Sequence, residues 1–189
     1  MITENQKSSY SDNELVYWLA FEDRTDLIST RKAISIFNRF GSLRPLWQFS
    51  DYYKDLEIDE YKIRNLAVHI RKTDLSKIEK MLRHIRSNNY RIIRYIDEEY
   101  PELLRNTNDP PLFLLHKGAL LDFSRCVAVV GTREASWYGR MMARKIGKSL
   151  ASKGYTIVSG LARGIDEWAH CGALEAPRGR TLAVLAWID

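Results

Sequence analysis

The fold is decided by two glycine-broken stretches, VAVVGTR at residues 127–133 and TIVSGLARGID at residues 156–166. Each is a short apolar run, rich in β-branched residues, that stops at a glycine and is followed by an arginine, Arg133 or Arg163. Such runs, separated by one helix-length segment, are typical of buried parallel strands. Both turns would open at the carboxyl edge of one sheet, where open α/β sheets bind ligands. Two arginines beside bare backbone therefore predict a polyanionic ligand.

Strands and helices alternate through the rest of the C-terminal half. The pattern predicts strands at 126–130, 156–159 and 181–186 and helices at about 138–152 and 165–175. This order is a βαβαβ unit, which forms a parallel sheet with right-handed crossovers.

The N-terminal half is patterned for helices. Ser11 and Glu14 have the spacing of a capping box, and apolar stripes follow at helical intervals. Their members are Leu15, Trp18 and Leu19; Ile34, Phe37 and Phe40; Ile63, Leu66, Ala67 and Ile70; and Leu75, Ile78, Leu82 and Ile85. We predict a small helical domain over 1–88 and a second domain over 89–189. The second domain begins with two short strands, at 90–95 and 112–115.

Composition restricts the class of protein. The 189 residues are 45% hydrophobic, enough for a buried core, and carry a net charge of +5. Residues 62–94 hold ten bases and two acids, which suits an acidic partner but also suits an ordinary solvated helix face. The two cysteines, Cys126 and Cys171, lack the paired spacing of a disulfide framework or a zinc site. Together with a polar start and the lack of a long apolar run, they predict a cytoplasmic protein without a membrane anchor.

Common nucleotide motifs are absent from both turns. Gly131-Thr132-Arg133-Glu134 lacks the second glycine of a dinucleotide fingerprint, and residues 160–165 do not form a P-loop. The second turn could instead hold a phosphate through a hydroxyl, a guanidinium group and the first N–H groups of the next helix, which are expected to lack partners. An ordinary strand-to-helix turn with a solvated arginine remains the alternative.

Three other residues allow weaker hypotheses. Asp166 and His170 share a helix face and could form a carboxylate-oriented histidine, although Asp166 also suits the dipole of a helix start. Trp137 is a candidate for stacking on bases, and packing is its alternative role. No cluster has the spacing of a metal site, and no residue set predicts catalysis or a cofactor.

The order of these motifs resembles the DNA-processing protein A family, DprA or Smf. The resemblance rests on the two opening stretches, Tyr138-Gly139, Ala169-His170, residues 172–176 and 181–185, and upstream Tyr100-Pro101, Asp109-Pro110-Pro111 and Gly118. The run from Ser159 to Asp166 is highly specific. The N-terminal part is similar only in placement to the family's domain of sterile-alpha-motif or helix-hairpin-helix type.

The resemblance implies a fold, a function and a site. The fold is α/β, an incomplete extended Rossmann-like parallel sheet preceded by a small all-helical domain. The implied function is to bind and protect single-stranded DNA in natural transformation and recombination and to load the RecA recombinase, without catalysis, a cofactor or a metal; a homodimer is also implied. Carried over by motif, the DNA-binding residues are Gly131, Arg133, Ser159, Gly160, Arg163 and Gly164.

The chain departs from the family after its third predicted strand. It continues as Ala186-Trp187-Ile188-Asp189, where the family has a glycine-rich turn, so about half of the expected Rossmann domain is missing. Without it, the strand at 126–130 would expose an apolar edge. Two alternatives stay open, a Rossmann-like nucleotide sensor or nucleotide-processing enzyme in which Asp166 and His170 matter most, and a non-functional truncated remnant.

Overall fold

The computed structural model describes residues 12–22, 29–44, 68, 72–119 and 123–185. Ser11, the apolar stripe from Ile63 to Ile70 and the last four residues therefore lie outside the described part. The chain divides into two compact units, Met1–Gly118 and Ala119–Asp189. The two lead-in strands fall in the first unit, although the sequence had grouped them with the second domain. The predicted domain boundary at residue 88 stays a prediction.

The described part of the first unit contains helices and a pair of strands. Its elements are α1 (Asp12–Glu22), α2 (Thr30–Phe40), α3 (Leu75–Ser87), β1 (Arg91–Arg94), the short α4 (Glu102–Arg105) and β2 (Phe113–His116). Strands β1 and β2 pair antiparallel, with Arg91 opposite His116 and Arg94 opposite Phe113. Three of the four predicted apolar stripes thus lie on helices, and both short strands form within one residue of their predicted bounds.

Helix α1 is the centre of the first unit's core. Trp18 packs against Phe37 of α2 with 5.1 Å between ring centroids, and Leu19 packs against Leu82 and Ile85 of α3. The Glu14 carboxylate is buried and accepts hydrogen bonds from Trp18 Nε1 (3.1 Å), Ser42 Oγ (2.6 Å) and the Leu43 N–H (2.9 Å). Glu14 therefore anchors the chain beyond α2, a role that the capping-box prediction did not include.

The second unit is a parallel βαβαβ unit. After a 3₁₀ turn at Phe123–Arg125 come β3 (Cys126–Ala128), α5 (Trp137–Ser152), β4 (Thr156–Ser159), α6 (Ile165–Leu174) and β5 (Arg180–Ala183). The strands pair in the order β3-β4-β5, with Val127 beside Ile157 and Ile157 beside Thr181. The predicted α/β class and topology are confirmed. Strand β3 ends two residues before its predicted end and β5 ends at Ala183, although the Val129 and Val184 N–H groups still donate to the carbonyls of Val158 and Ser159.

Helices α5 and α6 touch through their backbones. A Cβ atom on Gly147 of α5 would lie 2.5 Å from the Ala169 carbonyl oxygen, and one on Gly172 of α6 would overlap the Arg144 carbonyl. Each helix thus contributes a glycine that faces the other helix's backbone. Alanines complete the contact, since Ala169 and Ala173 are fully buried beside Ile157 of β4.

We expect Gly172→Ala to destabilise the protein by about 1–3 kcal/mol, because the added methyl group pushes two helix backbones apart. Gly139→Ala is the matched control: it also lies in a helix, but its methyl group would meet Ile165 Cδ1 at an ordinary 3.4 Å. That control should be neutral or slightly stabilising, since alanine is the better helix former. Thermal denaturation followed by circular dichroism measures both, and equal melting temperatures would contradict the packing argument.

Candidate nucleic-acid interface

One carboxylate joins the turns that follow β3 and β4. Asp166, in the first turn of α6, is only 7% exposed. Its Oδ1 accepts a hydrogen bond from the Gly131 N–H (3.3 Å), and its Oδ2 accepts one from the Gly160 N–H (3.0 Å). A buried carboxylate is costly unless it is hydrogen-bonded, and its position at a helix start is favoured by the helix dipole. Asp166 therefore holds the glycines of both turns against the start of α6.

The same turns contact each other directly through Gly164. This residue has a φ of 92°, and a Cβ atom there would lie 2.7 Å from the Arg133 carbonyl oxygen and closer still to the Thr132 carbonyl. The Ile165 N–H donates to that Thr132 carbonyl at 3.2 Å. Only glycine fits this close approach in a left-handed conformation. As a result, the backbones of Arg133 and Arg163, which precedes Gly164, are neighbours.

The six predicted site residues divide into two groups. Arg133 and Arg163 are exposed. Ser159 is buried, and its hydroxyl donates to the Val129 carbonyl at 2.7 Å. Together with the Asp166 and Gly164 contacts, this makes Ser159, Gly131, Gly160 and Gly164 the supports that hold the turns. Contact of any of the six with DNA stays a prediction.

Three of the N–H groups at the start of α6 are not the free donors that the sequence suggested. The N–H groups of Ile165, Glu167 and Trp168 donate to the carbonyls of Thr132, Ala162 and Gly164 respectively. The Gly131 and Gly160 amides are also occupied, by Asp166. The sequence predicted that Asp166 favours the helix dipole. It did not predict the Asp166 clamp, the pair of hydrogen bonds from the Gly131 and Gly160 amides to this carboxylate. A short carboxylate six residues after a strand-ending glycine was the available signal, because such side chains bond to nearby backbone.

His170 is not oriented by Asp166. It is 5% exposed, and its Nδ1 lies 2.6 Å from Thr181 Oγ1 of β5. The Thr181 hydroxyl donates to the Ile157 carbonyl at 2.9 Å, so it accepts from the histidine Nδ1–H. The Nε2 atom is buried and has no hydrogen-bond partner among the described residues. Burial lowers the pKa of His170 below its usual 6.5, against the opposing effect of the Asp166 charge.

The described residues offer neither a metal-binding cluster nor a membrane-spanning helix. Within the described ranges, no group of three or more His, Cys, Asp or Glu side chains is arranged to hold a metal ion. None of the helices described is both long and apolar enough to span a bilayer.

We expect Asp166→Asn to lower the free energy of unfolding by about 1–3 kcal/mol. The asparagine side chain has a single carbonyl oxygen, which can accept a hydrogen bond from only one of the two glycine N–H groups. The other buried N–H then faces the asparagine NH₂ group and has no acceptor. Glu167→Gln, an exposed change one residue away, should have an effect within about 0.5 kcal/mol. Urea denaturation compares the two variants; a loss no larger for Asp166→Asn than for Glu167→Gln would show that the clamp contributes little.

The pKa of His170 predicts a dependence of stability on pH. Because the folded pKa lies below the unfolded value of about 6.5, the unfolded chain takes up a proton first as the pH falls. The contribution of His170 to stability is therefore complete above pH 6.5 and is lost as the pH falls through the folded pKa. An NMR titration should show the His170 ring protons titrating below pH 6.5, and a midpoint at or above that value would contradict the prediction.

Comparison with known proteins identifies relatives of the chain. A model of the family described as DNA recombination-mediator protein A matches residues 91–187, just over half of the chain. The DNA processing protein DprA of Bacillus subtilis is 37% identical over 112 residues, and protein Smf of Escherichia coli is 43% identical over 111 residues. The matches cover 58% and 57% of this chain but only 37% and 29% of those relatives' length.

A solved structure is similar as well. The crystal structure of DNA processing protein A from Streptococcus pneumoniae superimposes with a TM-score of 0.68 at 25% sequence identity. That superposition covers 94% of this chain and 58% of the pneumococcal one. The family model includes the three strands, the clamp residue Asp166 and both arginine turns, and the structural likeness extends over nearly the whole chain. The chain belongs to the DNA recombination-mediator protein A family.

Proposed function

We propose that the carboxyl edge of the β3-β4-β5 sheet binds single-stranded DNA through its sugar-phosphate backbone. The observation that carries this proposal is the close approach of the Arg133 carbonyl to Gly164. Because Gly164 follows Arg163, the two arginine side chains extend from neighbouring backbone segments. Guanidinium groups bind phosphate oxygens through paired hydrogen bonds. Two exposed arginines on neighbouring backbone segments are placed to bind successive phosphate groups of a flexible DNA strand.

The charge of the second unit supports a polyanionic ligand. Residues 123–185 contain ten arginines and lysines against four acids. Two of these acids are engaged, Asp166 with the glycine amides and Glu175 with Arg144 and Lys148. Contacts to phosphate groups do not depend on the base sequence, and a protein that binds DNA of any sequence needs contacts of this kind. Relatives named DNA processing proteins make DNA the favoured polyanion.

The geometry favours binding over catalysis. The Asp166 oxygens are held by two amides, and the His170 Nδ1 is held by Thr181, so this pair lacks the mutual hydrogen bond of a carboxylate-oriented base. We therefore favour a DNA-binding protein of the cytoplasm over the alternative of a nucleotide-processing enzyme. A screen of mononucleotides by thermal shift tests that alternative, because a bound ligand raises the melting temperature.

Roles in transformation, RecA loading and homodimer formation extend the proposal further. They rest on the family, whose matched members are more than twice as long as the aligned region. Immobilised RecA, with and without DNA, tests the partner directly, and light scattering tests the dimer. Absence of a RecA signal would confine the proposal to DNA binding.

We expect Arg133→Ala with Arg163→Ala to weaken binding of a fluorescent oligonucleotide and to reduce its salt dependence. Removing two phosphate contacts should flatten the slope of log K against log salt by about 1.4 for a single strand. Fluorescence anisotropy measures both quantities, with wild-type affinity falling steeply as salt rises.

Arg178→Asn is the matched control. Arg178 is exposed with a φ of 57°, a conformation that asparagine tolerates, and it precedes β5 at the opposite edge of the sheet. Its loss should leave the salt slope nearly unchanged. Equal salt slopes for the double variant and the control would contradict the assignment of the site. If the wild-type protein binds no oligonucleotide at low salt, the proposed DNA binding is wrong; a non-functional remnant would give this result.

A further inference from the structure

Large apolar side chains are exposed where the three strands end. Among described residues, this set consists of Val130 after β3, Leu161 after β4, Val184 and Leu185 after β5, and Trp137 and Tyr138 at the start of α5. Trp137 is 75% exposed and Tyr138 is 68% exposed. Singly exposed apolar residues are common, but a group gathered at one edge indicates an interaction site.

The aromatic pair lies next to the arginine turns. The side chain of Ile165, at the start of α6, is close to both Gly131 and Gly139. A Cβ atom on Gly131 would lie 2.6 Å from this side chain, and one on Gly139 would lie 3.4 Å from it. Ile165 thus connects the turn after β3, the first turn of α5 and the start of α6. Trp137 and Tyr138, in that first turn of α5, therefore share an edge with Arg133 and Arg163.

Leu161 supplies an independent observation. Its φ is 57°, a left-handed conformation that costs a residue with a Cβ atom about 1 kcal/mol or more. Its side chain is nevertheless 56% exposed, so burial does not compensate for this strain. Strain of this kind concentrates at binding sites. The turn therefore presents an apolar side chain to solvent at an energetic cost, two residues before Arg163.

We propose that Trp137, Tyr138 and Leu161 form a stacking surface for unpaired bases, so that the site recognises bases as well as phosphates. This rests on the proposed function. Aromatic rings stack on bases of any sequence, and flanking arginines hold the phosphates between them. The surrounding positive charge fits a strand of nucleotides better than an apolar protein segment. In a duplex the base faces are already stacked, so the surface selects single strands.

The test compares an oligothymidylate with an abasic strand of the same length and charge. Wild-type protein should bind oligothymidylate roughly tenfold more tightly, since stacking on one aromatic side chain has an effect of this order. Trp137→Ala and Leu161→Gly should lower the affinity for oligothymidylate towards that for the abasic strand. Trp137→Phe, which keeps a ring, should restore much of the preference.

The controls separate stacking from folding and from charge. Glycine adopts the conformation of Leu161 without strain, so Leu161→Gly should not lower the melting temperature. Leu174→Ala removes another largely exposed leucine, at the far end of α6, and should leave both affinities unchanged. Arg133→Ala with Arg163→Ala should weaken binding of both strands alike.

Three outcomes decide between the proposals. Equal wild-type affinity for the two strands would overturn base stacking and leave phosphate binding in place. An equal loss for both strands in Trp137→Ala and Leu161→Gly would overturn it too, because these side chains would then act through the fold. No wild-type binding of either strand would remove the proposed function itself and the stacking surface with it.

Discussion

The arrangement of the second unit depends on the Asp166 carboxylate. It is buried at the start of α6 and accepts from the amides of Gly131 and Gly160, which lie in the turns after two different strands. A buried carboxylate without such donors would cost several kcal/mol, so these two hydrogen bonds tie both turns to the helix. The glycines follow from the same constraint: a Cβ atom on Gly160 would press against Asp166 Oδ2 at 3.0 Å, and one on Gly131 would overlap Ile165.

This internal anion changes how the edge can bind a ligand. The two glycine amides of the clamp bind the protein's own carboxylate, and they are not donors for a phosphate. Under the proposed function, the ligand is bound by side chains that extend from the held turns, namely the two arginines and the apolar residues beside them. The clamp supplies rigidity, which keeps Arg133 and Arg163 adjacent without ligand. Rigid presentation lowers the entropy lost on binding.

Local patterns predicted the secondary structure well and the hydrogen bonding of the site poorly. The β-branched runs, two of which stop at a glycine, identified all three parallel strands, because strand and turn preferences act over a few residues. The capping-box spacing at Glu14 predicted a helix start, yet its carboxylate bonds to Ser42 and Leu43, about thirty residues later. Asp166 presents the same difficulty, since Gly131 lies 35 residues upstream. His170 was paired with Asp166 by helical spacing, but its partner is Thr181 on another strand.

The sequence by itself determined the βαβαβ order, the edge at which the two arginine turns lie, and the family, because these follow from short-range periodicity and a specific motif. Only the tertiary structure decided which polar groups remain available there. Asp166 takes the glycine amides, Ser159 takes a carbonyl, and Leu161 is held in a left-handed conformation with its side chain exposed. The physical reason is that hydrogen-bond partners and exposure depend on which distant segments meet, and spacing along the chain carries no such information.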